Sequence, residues 1–190
     1  MPALYRHFLQ AMWLSWAAYW WVSSRNVKRT ARHESLPSRL SHIAPLALAA
    51  LFFSLPNSLA PFLSLRFLPS ATWPFHVAVA LTAAGLLFAV WARQYLGSNW
   101  SGTVSIKKDH QLITNGPYAL VRHPIYTGVL LALVGSAMAI GEWRAVLGLA
   151  LASLALWRKL RLEEHLLHQQ FGETYQAYCQ RVPALIPFVL

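Results

Sequence analysis

Charged residues are scarce in this chain of 190 residues. Asp, Glu, Lys and Arg make up 12% of it, about half the share that soluble domains carry, whereas 56% of the residues are hydrophobic. A single cysteine, Cys179, excludes an intrachain disulfide and a cysteine metal cluster. The sequence has no internal repeat, no G-x-G-x-x-G and no G-x-S-x-G, so a Rossmann-type nucleotide site and a serine-hydrolase elbow lack support. Little charge combined with nine tryptophans predicts an integral membrane protein.

The apolar runs predict an all-α bundle of about five transmembrane helices, folded as a single domain over residues 1–190 with parts 1–98 and 99–190. The predicted spans are residues 3–22, a span from about 43 that prolines 56 and 61 interrupt, 73–97, 125–140 and 145–157. A bilayer crossing needs about 20 residues. The join at residues 141–144 is so short that the last two runs must form an antiparallel hairpin. Gly128, Ala132 and Ser136 recur every four residues, which predicts a face for close helix packing.

The distribution of basic residues predicts the orientation of the chain. Thirteen of the sixteen Lys and Arg residues fall in the loops and tail on one side of these spans. By the positive-inside rule that side is cytosolic. The protein is therefore expected in an inner or plasma membrane, with its N-terminus outside and its C-terminus in the cytosol. The net charge of +10 is explained by this asymmetry, so no nucleic acid partner is expected.

Three polar motifs are candidates for chemistry. Arg122-His123-Pro124 stands at the start of an apolar run, where the free N–H groups of a helix entrance favour an anion. The turn signal of residues 115–118 precedes it. Glu163 and Glu164 are two of only six acidic residues and follow the last apolar run.

Each motif also has a plain structural interpretation, and both interpretations stay open on spacing alone. The first motif is equally an interfacial anchor with a proline cap, the second a loop, and the third a solvated helix face with local ion pairs. His165 and His168 share a helix face but lack a third ligand, so no metal site is predicted.

Two runs resemble the signatures of the isoprenylcysteine carboxyl methyltransferase family, which belongs to a wider group with the membrane phospholipid methyltransferases. The first is His110-x-Leu112-Ile113-x-x-Gly116-Pro117-Tyr118-x-x-Val121-Arg122-His123-Pro124-x-Tyr126-x-Gly128. The second is Glu163-Glu164, followed by Phe171-Gly172-x-x-Tyr175-x-x-Tyr178-x-x-Arg181-Val182-Pro183-x-x-Ile186-Pro187. The resemblance covers about residues 99–188.

The resemblance implies a membrane enzyme that transfers a methyl group from S-adenosylmethionine, bound in a cytosolic pocket, to a lipophilic or prenylated acceptor. Carried over by position, the cofactor contacts are His110, Gln111, Leu112, Ile113, Tyr118, His123, Pro124, Ile125, Tyr126 and Glu163. Thr103 aligns with a further contact position. Lys159 stands where the family has a substrate-side arginine, and Arg161 or Arg158 could substitute for it.

The chemistry of methyl transfer leaves the acceptor open. A carboxylate acceptor needs no base, and Arg161 or Lys159 would hold it. A phospholipid amine must lose a proton, for which Glu164 or His165 are the candidate acceptors. Two other functions remain as alternatives, namely an NADPH-dependent membrane reductase and a scaffold without enzymatic activity.

Overall fold

The computed structural model describes residues 3–25, 30–33, 35–54, 61–69, 71–100, 105–107 and 111–187. Six α-helices dominate the described chain: α1 (Ala3–Ser23), α2 (Leu36–Ser54), α3 (Trp73–Leu96), α4 (Pro124–Ile140), α5 (Trp143–Phe171) and α6 (Glu173–Arg181). Three short 3₁₀ turns connect them, at Pro61–Ser64, Gly97–Asn99 and Gly116–Ala119. The helical prediction is confirmed.

A two-stranded sheet joins two loops that the sequence predicted as irregular. Strand β1 (Thr30–His33) pairs antiparallel with β2 (Ser105–Lys107), and Thr30 stands opposite Lys107. This pairing ties the loop between α1 and α2 to the loop after α3. The sequence did not indicate it, because the two strands lie about 75 residues apart and each is too short to show a period.

Proline and glycine set most helix boundaries where the sequence placed them. Pro74 and Pro124 stand in the first turns of α3 and α4, where the missing N–H is not needed. Gly141 and Gly172 have φ of 65° and 51° after α4 and α5. Helix α2 is the exception, because it begins at Leu36 rather than near residue 43. Its polar first turn hid the start, and Pro45 is accommodated inside the helix.

Two described helices are long and apolar enough to cross a bilayer, α2 and the stretch Trp73–Asn99 that begins with α3, and α4 is a shorter apolar helix. Large apolar side chains on other helices also point outward, including Leu14 on α1 and Leu154 on α5, each about two-thirds exposed. Such surfaces suit lipid contact. The number of crossings stays a prediction, as do the single-domain boundaries, and residues 55–60, where a kink was predicted, lie outside the described chain.

The closest helix contact is between α3 and α4. A methyl group added to Gly128 would lie 2.5 Å from the carbonyl oxygen of Gly85, and one added to Gly135 would lie 2.5 Å from that of Ala78. Gly128 and Ala132 of the predicted small-residue face therefore pack against α3, with Gly135 in place of Ser136 as the third small residue of this contact. Ser136 on the same helix accepts a hydrogen bond of 2.9 Å from the Trp13 indole of α1. This packing fixes the start of α4, where the polar motifs meet.

Candidate functional site

The three polar motifs of the sequence meet at one end of the bundle. The turn before α4 and the first residues of α4 face the polar end of α5, and α6 with the segment to residue 187 wraps around them. Gly116 starts the turn with φ of 58°, and its Cα lies against the ring of Tyr95. Glycine is favoured there because a residue with a Cβ is strained at this positive φ.

Arg122 is the hub of this end of the bundle. Its Nε and Nη2 donate to Glu164 Oε1 at 2.9 and 2.7 Å, and its Nη1 donates to the backbone carbonyls of Cys179 and Val182. The backbone N–H of Arg122 donates to the carbonyl of Pro183 at 2.8 Å. One side chain thus joins the start of α4, the polar part of α5 and the end of α6.

The backbone at the helix entrance is used in the same way. The N–H of His123 donates to the carbonyl of Ala184 at 3.0 Å, and the Thr127 hydroxyl donates to the carbonyl of Leu185 at 2.6 Å. The N–H groups of Arg122 and His123 were expected to be free for an anion. Both N–H groups instead donate to carbonyls of the C-terminal segment, because that segment passes across the helix entrance.

Glu164 is held as an anion. Burial alone would raise the pKa of Glu164, but hydrogen bonds from His123 and Arg122, with the charge of both, outweigh burial and lower the pKa from 4.5 to about 2. The carboxyl group is about one-tenth exposed and paired with Arg122. So weak a base does not accept a proton at neutral pH. The ion pair with Arg122 therefore disfavours the predicted role of Glu164 as a proton acceptor.

The pKa of Glu164 predicts how stability depends on pH. Because the folded-state value lies below the ordinary one, the stabilisation is complete above about pH 4.5 and is lost as the pH falls towards 2. We expect the ion pair to contribute about 3 kcal/mol to the free energy of unfolding at pH 7, and less than half of that at pH 3. Unfolding in mixed detergent at pH 7, 5 and 3, compared with Glu164→Gln, measures it. A difference between the two proteins that stays constant down to pH 3 would contradict this assignment.

Glu163 is the accessible acid of the pair. Its Oε1 accepts a hydrogen bond of 2.6 Å from the Tyr126 hydroxyl, and the Lys159 ammonium lies 3.9 Å away. His123 Nδ1 lies 3.7 Å from its other oxygen, and the ring of His123 stacks parallel on that of Tyr126 at 5.5 Å. The Glu163 side chain is 24% exposed. A carboxylate fixed in this way remains open to a ligand.

The predicted site residues divide into those the structure brings together and those it separates. His123, Tyr126, Lys159, Glu163 and Glu164 form one cluster. Arg161 is exposed on another face of α5. Arg158 is exposed too, and it donates to Ser41 at the start of α2.

The remaining predicted contacts surround this cluster. Pro124 is buried at the start of α4, next to the half-buried Ile125, and Tyr118 is buried in the preceding turn. Leu112 packs on the buried Tyr175 and Tyr178 of α6, with Ile113 half-buried and Gln111 exposed beside it. Burial raises the pKa of Tyr118, so its hydroxyl stays protonated. His110 and Thr103 lie outside the described residues.

The sequence reasoning missed the role of α6. The Tyr178 hydroxyl donates to the carbonyl of Tyr118 at 2.6 Å, and Tyr175 is among the largest fully buried side chains. Their spacing of three residues on a short helix was the signal, since it places both rings on one face. Helix α6 therefore supports the turn that carries the predicted cofactor contacts.

The fold and the site define a class: an α-helical integral membrane protein with a polar cluster at one end of its bundle. Comparison with known proteins shows which family the chain resembles. The sequence model of the isoprenylcysteine carboxyl methyltransferase family matches residues 77–169. This segment contains most of α3, all of α4 and most of α5, and the match confirms the resemblance of the motifs to that family.

Individual relatives agree with the family match. Protein-S-isoprenylcysteine O-methyltransferase of Schizosaccharomyces pombe is 38% identical over 99 residues, which cover 49% of this chain and 41% of that protein. The nickel-cobalt-cadmium resistance protein NccN of Alcaligenes xylosoxydans xylosoxydans is 32% identical over 118 residues, covering 61% and 53%. The chain spans about half the length of the curated relatives it matches.

A solved structure supports the fold. The eukaryotic intramembrane Ras methyltransferase ICMT aligns with a TM-score of 0.57 and 23% sequence identity, over 84% of this chain and 55% of that one. The all-α architecture is thereby confirmed outside the motifs as well, because the alignment extends well beyond residues 77–169.

Proposed function

We propose that this protein transfers a methyl group from S-adenosylmethionine to the carboxylate of a lipophilic acceptor at the cytosolic membrane surface. The observation that carries the proposal is the Glu163 carboxylate, which is fixed by the Tyr126 hydroxyl, is about one-quarter exposed to solvent and lies beside the Lys159 ammonium. It lies within a segment that matches a methyltransferase family. The names of several relatives support an isoprenylcysteine-like acceptor as the first choice.

The residues present fit S-adenosylmethionine by their chemistry. Glu163 can accept hydrogen bonds from ribose hydroxyls and complements a positively charged sulfonium. The segment 111–114 is irregular, and within the described chain its backbone groups make no hydrogen bond to other backbone groups, so they are available to the edge of an adenine. Leu112 and Ile113 add half-buried apolar contacts. When bound, the cofactor supplies an electrophilic methyl group.

The protein would position the acceptor and exclude water from the site rather than supply an acid or a base. Lys159 lies over the Tyr126 ring at 5.5 Å, with its side chain only 13% exposed, where it can hold an acceptor carboxylate near Glu163. Methyl transfer needs in-line approach of the nucleophile and exclusion of water. The buried layer of His123, Tyr118 and Tyr178 closes the inner side of the cluster against water.

The placement of the candidate bases favours a carboxylate acceptor over an amine. A phospholipid amine would have to lose a proton, yet Glu164 is ion-paired with a pKa of about 2. His165 is exposed and lies next to Gln169 at 2.9 Å, away from the cluster. An acceptor that is already an anion needs neither group. The metal-related name of the relative NccN finds no counterpart, because no three His, Cys, Asp or Glu side chains in the described ranges could hold a metal ion.

Calorimetric binding of S-adenosylhomocysteine to the detergent-purified protein tests the proposal. We expect micromolar binding that falls at least tenfold in Glu163→Ala, because a charge-assisted hydrogen bond contributes about 1.5–3 kcal/mol. Glu173→Ala is the matched control, since Glu173 is an exposed acid in the first turn of α6. Binding of NADPH instead would favour a reductase. Binding of neither ligand would favour a scaffold, and either result would overturn the proposal.

A further inference from the structure

A large cavity lies between α1, α2, α4 and α5, on the side of α4 that does not face α3. Its volume is about 1260 Å³, above the roughly 300–1,000 Å³ of sites for drug-sized ligands. Its walls are mostly apolar and include Trp13, Leu46, Phe53, Val129 and Leu133. Neither the two runs that resemble the family signatures nor the Glu163 cluster contributes a lining residue. The cavity therefore needs its own explanation.

The cavity is about as deep as one leaflet. Along α4 it extends from Val129 to Ile140, which is eleven residues or about 16 Å. The hydrocarbon core of a bilayer is about 30 Å thick. One end of this span is the connection between α4 and α5, whereas the Glu163 cluster lies at the other end of α4. The cavity thus faces the leaflet opposite to the proposed methyl-transfer site.

The end of the cavity at this connection is cationic. Arg144 pairs with Glu142 at 2.7 Å, both nearly buried, and also donates to the carbonyls of Phe52 and Phe53. This pair is neutral as a unit. Arg66 is exposed and donates one bond of 2.9 Å, from Nη1 to the carbonyl of Ile140. The polar end of the cavity therefore has a net charge of +1.

The same end of the cavity has exposed aromatic side chains of the kind found at the level of lipid headgroups. Backbone hydrogen bonds from Phe67 to Gly141 and from Trp143 to Leu65 pin the segment of Arg66 to the helix connection. The rings of Phe67 and Trp143 are 5.6 Å apart, and both side chains are exposed. Exposed aromatic rings at the end of a membrane helix mark the interface between hydrocarbon and headgroups.

We propose that the cavity binds an anionic phospholipid of that leaflet. An acyl chain of the lipid would lie between the apolar walls, and its phosphate would bind the Arg66 guanidinium. An acyl chain gains little free energy by moving from the bilayer to another apolar site, so the charge of the headgroup decides which lipid binds. A basic residue near the surface favours an anionic lipid by an amount that corresponds to about fivefold in affinity. The site is separate from the proposed function, and the lipid is a bound component rather than the methyl acceptor.

Lipid titration of the purified protein tests this. Phosphatidylglycerol should raise the unfolding temperature in detergent more than phosphatidylcholine with the same chains, and bind about fivefold more tightly. Arg66→Gln should remove the preference between the two lipids. Ala50→Phe, which projects a ring into the cavity from an exposed position on α2, should weaken both. Arg39→Gln, an exposed arginine at the opposite end of α2, should change neither.

Three outcomes would overturn the proposal. Equal effects of the two lipids on the wild type would remove the role of the headgroup. An unchanged lipid preference in Arg66→Gln, together with undiminished binding of both lipids in Ala50→Phe, would place the lipid elsewhere. Displacement of bound phosphatidylglycerol by an isoprenylated cysteine would assign the cavity to the methyl acceptor. If Arg66→Gln does not fold, Arg66→Lys and Ala50→Phe still test the proposal. Lysine retains the positive charge of arginine but lacks its planar guanidinium group.

Discussion

Replacing Arg122 by alanine is expected to abolish the site and to destabilise the protein by about 3–5 kcal/mol. The substitution leaves the Glu164 carboxylate nearly buried without its cation, which is the costly way to break an ion pair. It also removes two donors to the backbone of residues 179 and 182, so α6 loses its main attachment to the turn before α4. Because Tyr178 of α6 supports Tyr118, the predicted cofactor contacts should lose their support together.

Two readouts separate this effect from a general loss of fold. Unfolding in mixed detergent should show the drop in stability, and calorimetry should show that binding of S-adenosylhomocysteine is lost even at temperatures where the bundle is folded. Arg181→Ala is the matched control, because Arg181 is exposed and, among the residues that the structure describes, its side chain donates to the Ala177 carbonyl of its own helix. Arg122→Lys should recover part of the stability, since lysine keeps the positive charge but cannot make all four hydrogen bonds of the guanidinium group. A folded, ligand-binding Arg122→Ala protein would refute the role of Arg122 as hub.

Gly128→Ala is expected to separate α3 from α4 despite adding a single methyl group. That methyl would lie 2.5 Å from the Gly85 carbonyl oxygen and 2.7 Å from the Ala89 backbone nitrogen. Both are backbone atoms of a helix and cannot move aside, so the helix pair must open. We expect a loss of at least 1–3 kcal/mol and a lower yield of monodisperse protein in detergent. Because Gly128 lies only two residues after Tyr126 on α4, ligand binding should weaken as well.

Gly148→Ala on α5 is the control for this substitution. There the nearest atoms to an added methyl belong to the Phe53 ring, at 2.9 Å, which can rotate away, and the nearest backbone atom, the Ala49 carbonyl oxygen, is farther off at 3.1 Å. Its effect should be less than half that of Gly128→Ala. Equal effects of the two substitutions would show that close backbone contact between α3 and α4 is not what holds the bundle together.

Local signals in the sequence predicted the elements of this protein well. Proline at a first helical turn marked the starts of α3 and α4. These boundaries depend on backbone chemistry within a few residues, which any sequence displays. The start of α2 was wrong because its first turn is polar, so hydrophobicity gave no sign of it.

The site was predictable as a set of motifs but not as an arrangement. Glu163 and Glu164 are neighbours in the sequence, and on a helix neighbours point about 100° apart. Which of them meets Arg122 and which meets Tyr126 depends on how α5 is rotated against α4, and the sequence contains no local record of that rotation. The same rotation turns Lys159 towards the cluster and Arg161 away from it.

By itself the sequence determined that the chain is a helical membrane protein with two polar motifs of one family, because hydrophobicity, proline and glycine act locally. Only the tertiary structure decided that Glu164 is an ion-pair anchor while Glu163 stays open, that the C-terminal segment covers the entrance of α4, and that a cavity lies between four helices. These features join residues tens of positions apart, so they depend on how whole helices pack.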